Sequence, residues 1–130
     1  MKVAFTSSTG ELVDQHFGHT SSFTVWEVGP DRAGFVGTAR ALTEALDDED
    51  RTSARAAAIA DCAIVYTQAI GGPAAAKLVA RRIHPMKTGT AVPIGEVVSK
   101  LQEVLRGKPP PWLRKAMGGV AEAPAFVADE

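Results

Sequence analysis

The stretch at residues 62–67 constrains the fold most strongly, because it is an unbroken apolar run of strand length that Thr67 closes. Such a run is typical of a strand that is buried on both faces, as at the centre of an α/β sheet. Residues 68–72 follow as a loop, and Pro73 suits the first turn of a helix that continues to Ile83. The sequence therefore predicts a strand–loop–helix unit inside an α/β fold.

The predicted elements have the order β-β-β-α-β-α-β-α along the chain. Alternating or β-branched runs predict strands at residues 2–6, 23–28 and 35–40, and 84–87 is predicted as a short edge strand that tolerates Pro85. Alanine-rich or amphipathic patterns predict helices over residues 50–60 and from residue 94 to the stop at Gly107. We therefore expect a mixed sheet of about five strands that is flanked by helices.

A chain of 130 residues is expected to form one domain with a substantial hydrophobic core. We predict that residues 1–107 form this domain. Residues 108–117 are predicted to comprise a stiff proline-rich linker and a short basic, apolar stretch that contains Trp112 and Leu113. Residues 118–130 are rich in Gly, Ala and Pro and are predicted to be a disordered tail.

Residues 13–19 hold two of the three histidines of the chain, His16 and His19, just past the predicted first strand. Ligands of open α/β sheets usually bind where strands end, and imidazole is both a metal ligand and a general base. Gly18 lets the backbone turn sharply or approach a ligand closely, and Phe17 is expected to anchor the loop in the core. Spacing alone does not distinguish this site from two surface histidines.

A second candidate site is the glycine loop at Gly71 and Gly72, between the buried strand and the next helix. Backbone N–H groups at the amino terminus of a helix can bind an anion, although close packing of a helix on a strand also requires glycine. The loop matches neither the phosphate-binding nor the dinucleotide-binding glycine pattern, so we predict no nucleotide site.

The formal net charge of −1 gives no reason to expect binding to nucleic acid or to an anionic membrane. Residues 77–115 nevertheless contain nine basic and two acidic residues. This part of the chain suits an anionic ligand or an acidic partner about as well as it suits a solvated helix face. We recognise no signal peptide and no apolar run of the roughly 18–20 residues that cross a bilayer, so we expect a cytoplasmic protein.

Cys62 is the one cysteine, which excludes an internal disulfide and a cysteine-only cluster cage within one chain. It opens the predicted buried strand, where a free cysteine commonly packs as a small hydrophobe. Packing is therefore the preferred role of Cys62, and ligation of a metal is the alternative. His84, next to Pro85, is interpreted as a capping or surface residue, and the alternative is that it faces the same pocket as His16.

Three stretches together resemble the dinitrogenase iron–molybdenum cofactor biosynthesis family over residues 1–115. They are Val-Ala-Phe-Thr-Ser-Ser at 3–8 with Val-Asp-Gln-His-Phe-Gly at 13–18, the strand and glycine loop at 61–77, and Ile-His-Pro at 83–85 with the segment 101–113. The first stretch is shared across the family, including NafY-like carriers and a domain of NifB-type proteins. The third, which ends in Pro-Pro-Pro-Trp-Leu, points to the NifX branch of the family.

The resemblance implies a ribonuclease H-like three-layer α/β fold and a small, non-catalytic carrier. Such a carrier binds an iron–sulfur precursor of the nitrogenase iron–molybdenum cofactor, or the cofactor itself, and passes it to a scaffold or to apo-dinitrogenase. The resemblance also implies that His16 is the ligand of cluster iron or molybdenum, with His19 ranked lower. The residues expected to contact this cargo are Ser7, His16, Phe17, Gly18, His19, Gly71 and Gly72.

Two alternative functions stay open at this point. A nuclease of the same fold needs carboxylates on the central strands to hold two divalent metals, whereas Glu27 is the one acid on residues 2–6, 23–28 and 62–67. A docking module of the same pathway, without a cluster of its own, would place Trp112 and Leu113 on a partner, unless these residues fold back on the core.

Overall fold

The computed structural model of the chain describes residues 1–43 and 47–121 and has a five-stranded mixed sheet at its centre. The strands in chain order are β1 (Lys2–Thr6), β2 (Leu12–Val13), β3 (Ser22–Val28), β4 (Ala33–Arg40), β5 (Ile64–Thr67), β6 (His84–Lys87) and β7 (Val92–Pro93). In space the large sheet has the order β4-β3-β1-β5-β6, and β2 pairs with β7 in a separate two-stranded sheet. A mixed sheet of about five strands is therefore confirmed.

Helices cover both faces of this sheet. They are α1 (Asp48–Ala58), α2 (Gly72–Ala80), α3 (Ile94–Arg106) and α4 (Pro111–Ala121), and a short 3-10 turn covers Phe17–His19. One hydrophobic cluster joins the sheet to α3 and α4, and a second joins the opposite face to α1 and α2. No helix among the described residues is both long enough and apolar enough to cross a membrane.

β1 lies at the centre because its residues are apolar on both faces. Val3 and Phe5 belong to the cluster beneath α3, whereas Ala4 belongs to the cluster beneath α1 and α2. β1 pairs antiparallel with β3 and parallel with β5. β5 pairs in parallel with β6 on its other side, so the prediction of a buried strand in this part of the chain is confirmed.

α2 ends three residues before the predicted end at Ile83. Arg82 adopts a positive φ of 63°, and the N–H of Ile83 donates to the carbonyl of Leu78 at 3.0 Å. This is the left-handed helix stop that glycine usually provides, and the buried Ile83 and Leu78 close it with an apolar contact. Because Arg82 rather than a glycine occupies this position, the sequence carries no signal for the helix end, and the predicted helix continued to Ile83.

The largest difference from the sequence analysis is α4, which replaces the predicted basic, apolar stretch. The extended linker comprises residues 108–110, and Pro111 begins the helix, as proline readily does in a first turn. Leu113 is buried in the cluster beneath α3, which answers the earlier question by showing that this segment folds back on the core. Residues 118–121 are the end of α4, whereas 122–130 of the predicted tail lie outside the described residues. The division into a domain at 1–107, a linker and a tail stays a prediction.

Candidate functional site

The candidate site lies where β1 and β5, two parallel neighbours, end at the same edge of the sheet. The chain beyond β1 continues alongside the chain beyond β5, since His16 forms an isolated parallel bridge with Ala69. The N–H of Phe17 donates to the carbonyl of Ala69 at 2.9 Å, and the N–H of Gln68 donates to the carbonyl of Gln15 at 3.0 Å. His16 is therefore held at the strand ends, where the sequence analysis expected a ligand site.

Two buried threonines tie this loop to the sheet. Thr6 is the last residue of β1 and Thr67 is the last residue of β5. Thr6 Oγ1 donates to the carbonyl of Gln15 at 2.8 Å, and Thr67 Oγ1 lies 3.1 Å from the same oxygen and 3.1 Å from the carbonyl oxygen of Ala69. Hydroxyl groups from the core thus hold the backbone directly before His16 and that of its bridge partner Ala69.

The other end of the loop is anchored from the opposite side. Phe17 is fully buried, and its ring centroid lies 5.8 Å from that of Phe23 in β3, which confirms its expected anchoring role. Arg55 of α1 is also buried, and its Nε donates to the carbonyl of Thr20 at 2.8 Å. The 3-10 turn between these anchors therefore has little freedom to move.

The turn presents two exposed imidazoles side by side. The rings of His16 and His19 lie within 4° of parallel, with centroids 5.4 Å apart. The N–H of His19 donates to the carbonyl of His16 at 3.0 Å, which fixes the spacing of the two residues. The arrangement offers two nitrogen ligands to a group that approaches from solvent.

Among the residues that the structure describes, no further His, Cys, Asp or Glu joins these two imidazoles to form a group of three metal ligands. Within residues 1–43 and 47–121, no three His, Cys, Asp or Glu side chains converge as metal ligands would. A resident protein metal site normally supplies at least three ligands, as in catalytic zinc centres. At this point the described residues thus offer a metal two imidazole side chains.

The loop that precedes this site is braced by its own side chains. Asp14 accepts hydrogen bonds from the N–H of Ser8 at 2.9 Å and from its hydroxyl at 2.6 Å. The bond from the Ser8 hydroxyl is the main reason why the pKa of Asp14 lies below its usual value. Ser7 is buried at the same edge, and its Oγ accepts from the N–H of Gly10 at 2.8 Å. The structure thus brings Ser7 near the site, with its oxygen engaged by its own loop.

The glycine loop also lies at this edge. Gly71 is the N-cap of α2 and follows Ala69, the bridge partner of His16, by two residues. The amino end of α2 therefore lies at the same edge of the sheet as the histidine loop. Gly18 has no left-handed backbone conformation, and a Cβ at this position would meet no atom within 4 Å. The fold itself therefore does not require glycine at position 18.

Cys62 and His84 are not at this site. Each lies at or just before the start of a strand, β5 for Cys62 and β6 for His84, so both are at the opposite end of the sheet from His16. Cys62 is buried, and burial raises the pKa of its thiol to about 12. The ring of His84 stacks on that of Trp112 at 3.8 Å, and burial lowers the pKa of its imidazole.

The sequence analysis missed the residues that support the histidines. For Thr6 and Thr67 a signal existed, since threonine closes two predicted strands that both lie inside the sheet. For Arg55 no local signal existed, because its contact with Thr20 depends on how α1 packs against a loop 35 residues away.

Comparisons with known proteins agree with the resemblance. Residues 1–104 match the protein family described as "Dinitrogenase iron-molybdenum cofactor". The chain is 46% identical over 119 residues to NifX of Herbaspirillum seropedicae, a match that covers 90% of this chain and 82% of that protein. It is 41% identical over 118 residues to NifY of Azotobacter vinelandii, covering 91% of this chain and 48% of NifY. The chain therefore spans about half the length of that NifY.

A solved structure supports the architecture. The crystal structure of PH0822 superposes with a TM-score of 0.64, covering 79% of this chain and 91% of that one. Sequence identity between the two is 19%, so this similarity concerns the fold alone.

Proposed function

Because this chain belongs to the dinitrogenase iron–molybdenum cofactor family, we propose that it is a non-catalytic carrier in the biosynthesis of that cofactor. Its cargo is an iron–sulfur precursor of the cofactor or the cofactor itself. His16 supplies a nitrogen ligand to iron or molybdenum of the cargo, and His19 supplies a second contact. The observation that carries the proposal is the parallel pair of exposed imidazoles on a turn that is anchored at both ends.

The chemistry of the site fits temporary custody of a cluster. A carrier must protect its cargo and then release it, and a full set of protein thiolates would bind the cluster too tightly for release. One or two neutral imidazoles bind iron while sulfide supplies the remaining coordination. In this proposal the backbone N–H groups of Gly71 and Gly72, at the amino end of α2, interact with sulfide or with an organic acid on the cluster.

Cys62 is the less favoured ligand in this proposal. The thiolate is the form that binds a metal, whereas a thiol with a pKa of about 12 stays protonated at neutral pH. Its position before β5 is also at the far end of the sheet from the imidazoles. We therefore assign Cys62 a packing role.

The partners follow from the same proposal. The cargo comes from a NifB-type source and passes to a scaffold or to apo-dinitrogenase. We place this exchange in the cytoplasm, a compartment in which a lone cysteine such as Cys62 stays reduced.

An anaerobic titration of the purified apo-protein with isolated NifB-type iron–sulfur precursor tests the function. Visible absorption and the iron retained after gel filtration are measured for the wild type and for His16→Ala and His19→Ala. The matched control is His84→Ala, which removes an imidazole from the opposite end of the sheet. We expect retention by the wild type and by His84→Ala, strong loss in His16→Ala and partial loss in His19→Ala.

Other results would change the assignment. Equal retention by the wild type and His16→Ala would keep the carrier and move the ligand elsewhere, which Cys62→Ala then tests. No retention by any of the proteins would contradict the carrier function. The docking module without a cluster would then be the better description.

A further inference from the structure

A cationic cavity lies at the end of the sheet opposite to the imidazole pair. It has a volume of about 480 Å³, and its lining includes Arg82 and Lys115 together with Val79, His84 and Trp112. We call it the basic cavity. Ala63, just before β5, also lines it, which places it at the amino ends of β5 and β6. It is therefore separate from the candidate cargo site.

A second, more apolar cavity shares a wall with the basic cavity. It measures about 700 Å³ and runs between β6, α3 and α4, with Met86, Val97 and Val104 in its lining. The shared wall is the stacked pair of His84 and Trp112, which line both cavities. The two rings lie within 14° of parallel, so the wall is an ordered surface.

The two cavities expose more apolar surface than a solvated helix face requires. Val79 is 59% exposed, Val104 is 41% exposed and Trp112 is 37% exposed. Each of these side chains lines one or both cavities. A concentration of exposed apolar side chains beside charged groups marks an interaction surface.

The two cations of the basic cavity are not neutralised within the described part of the chain. Within the described residues, neither the Arg82 guanidinium nor the Lys115 ammonium group has an ion pair or a hydrogen bond, and no carboxylate lines the cavity. In the apolar cavity, by contrast, the ammonium nitrogen of Lys100 forms an ion pair with a carboxylate oxygen of Glu96 at 3.7 Å. The positive charge at this end of the molecule is therefore available to an anionic partner.

We propose that the two cavities together form a docking site for an acidic segment of a partner protein. Carboxylates of that segment lie against Arg82 and Lys115, and an apolar side chain beside them packs on Trp112. Two cations next to a large apolar cavity match a short acidic peptide, whereas a nucleic acid requires a longer track of phosphate contacts.

The test is a titration of the full chain with the acetylated peptide Asp-Glu-Phe-Asp-Glu, followed by the two indole N–H signals in NMR. The neutral peptide Asn-Gln-Phe-Asn-Gln is the control ligand. We expect the signal of Trp112 to shift saturably with the acidic peptide, while that of Trp26, whose indole nitrogen is buried, stays in place. Binding should weaken between 50 mM and 300 mM salt, because the carboxylates interact with exposed cations.

Variants connect the shift to the cavity. Arg82→Glu combined with Lys115→Glu should weaken the binding at least about fivefold, since each reversal replaces an attraction by a repulsion. The matched control is Arg32→Glu combined with Arg40→Glu, which reverses one charge at each end of β4 and should bind as the wild type does. His16→Ala should also bind normally, so failure of the cargo proposal would leave this result intact.

Several outcomes would overturn the proposal. They are the absence of a saturable shift, equal binding of the neutral peptide, and unchanged binding by the double charge reversal in the cavity. A stronger response to a single-stranded oligonucleotide than to the acidic peptide would assign the surface to nucleic acid instead. A shift of the Trp112 signal on dilution of the protein without peptide would assign it to a second copy of the chain.

Discussion

Thr6 and Thr67 link the interior of the sheet to the exposed histidines, because both hydroxyls reach the carbonyl of Gln15 directly before His16. We expect Thr67→Val to lower the free energy of unfolding by about 0.5–1.5 kcal/mol, since it removes the hydroxyl contacts to the carbonyls of Gln15 and Ala69, each of which keeps a backbone donor. It should also reduce cluster retention through the loosened loop. Urea denaturation followed by circular dichroism measures the first effect.

Thr24→Val is the matched control for this prediction. Thr24 is buried in β3, and its hydroxyl has no hydrogen bond to any described residue, so the substitution should leave stability nearly unchanged. An equal loss of stability in both variants would show that the bonds of Thr67 do not support the loop.

A substitution at Gly18 tests whether the cargo, rather than the fold, requires a glycine at this position. Since a Cβ at position 18 would meet open space, the free energy of unfolding of Gly18→Ala should lie within about 0.5 kcal/mol of the wild-type value. If the cargo lies against this backbone, the added methyl group should lower iron retention after gel filtration. Gly34→Ala, also in open space, is the control. Undiminished retention by Gly18→Ala would exclude close approach of the cargo to this residue.

The raised pKa of the Cys62 thiol predicts how the stability of the protein and the reactivity of this thiol depend on pH. Burial raises its pKa to about 12, so the folded state favours the neutral thiol and gains stability below the ordinary thiol pKa. That contribution is lost as the pH rises through the folded-state value. Ellman's reagent should therefore not react with the native protein at pH 8 and should report one thiol in urea. Rapid reaction of the native protein would place Cys62 at the surface.

At the scale of elements, Leu113 is a fully buried side chain by which α4 packs on the core. Leu113 is buried beneath α3, and truncation of a buried leucine costs about 2–5 kcal/mol. Leu113→Ala should detach α4, accelerate hydrogen exchange of its amides and remove the stacking of Trp112 on His84. Exchange in β1 should stay slow, because local opening leaves the central strands intact. Arg114→Ala, at an exposed position of the same helix, is the control. Equally fast exchange of the α4 amides in that variant would show that burial of Leu113 is not what holds the helix on the core.

The elements that could be predicted are those with a strong local signal. The apolar runs of β1 and β5 and the amphipathic pattern of α3 each identified their structure. The two-residue strands β2 and β7 are too short to leave a pattern. α4 was missed because the prolines before it resemble a linker. The packing of Leu113 against the core, which joins this helix to the rest of the fold, leaves no local pattern in the sequence.

At the scale of the whole molecule, the cargo site and the docking site lie at opposite ends of one sheet. Effects of substitutions at distant sites without shared partners add independently. We therefore expect His16→Ala to impair only cluster retention, and the double charge reversal at Arg82 and Lys115 to impair only peptide binding. A protein that carries all three substitutions should show both defects, each as large as in its parent. Loss of cluster retention in the charge reversal would show that the two ends are coupled.

The location of the candidate cargo site could be predicted, but its support could not. Both loops follow predicted strands, and in the structure these strands, β1 and β5, are parallel neighbours that bring the two loops to one edge. The bonds from Thr67 and Arg55 join residues that are 52 and 35 positions apart in the chain. Such bonds depend on packing, so the sequence pointed to the candidate histidines without the hydrogen bonds that hold their loop.

The two edges of the sheet are unequal, and this limits how the molecule can assemble. On β6, Pro85 lacks a backbone donor and Trp112 stacks against His84, so this edge is a poor template for another strand. β4 has no proline and no charge before Arg40, and it exposes Phe35 and Val36. Unpaired edges of this kind accept further strands. Two copies that associate through their sheets would therefore pair β4 with β4 and stop at a dimer, because β6 offers no second edge for further growth.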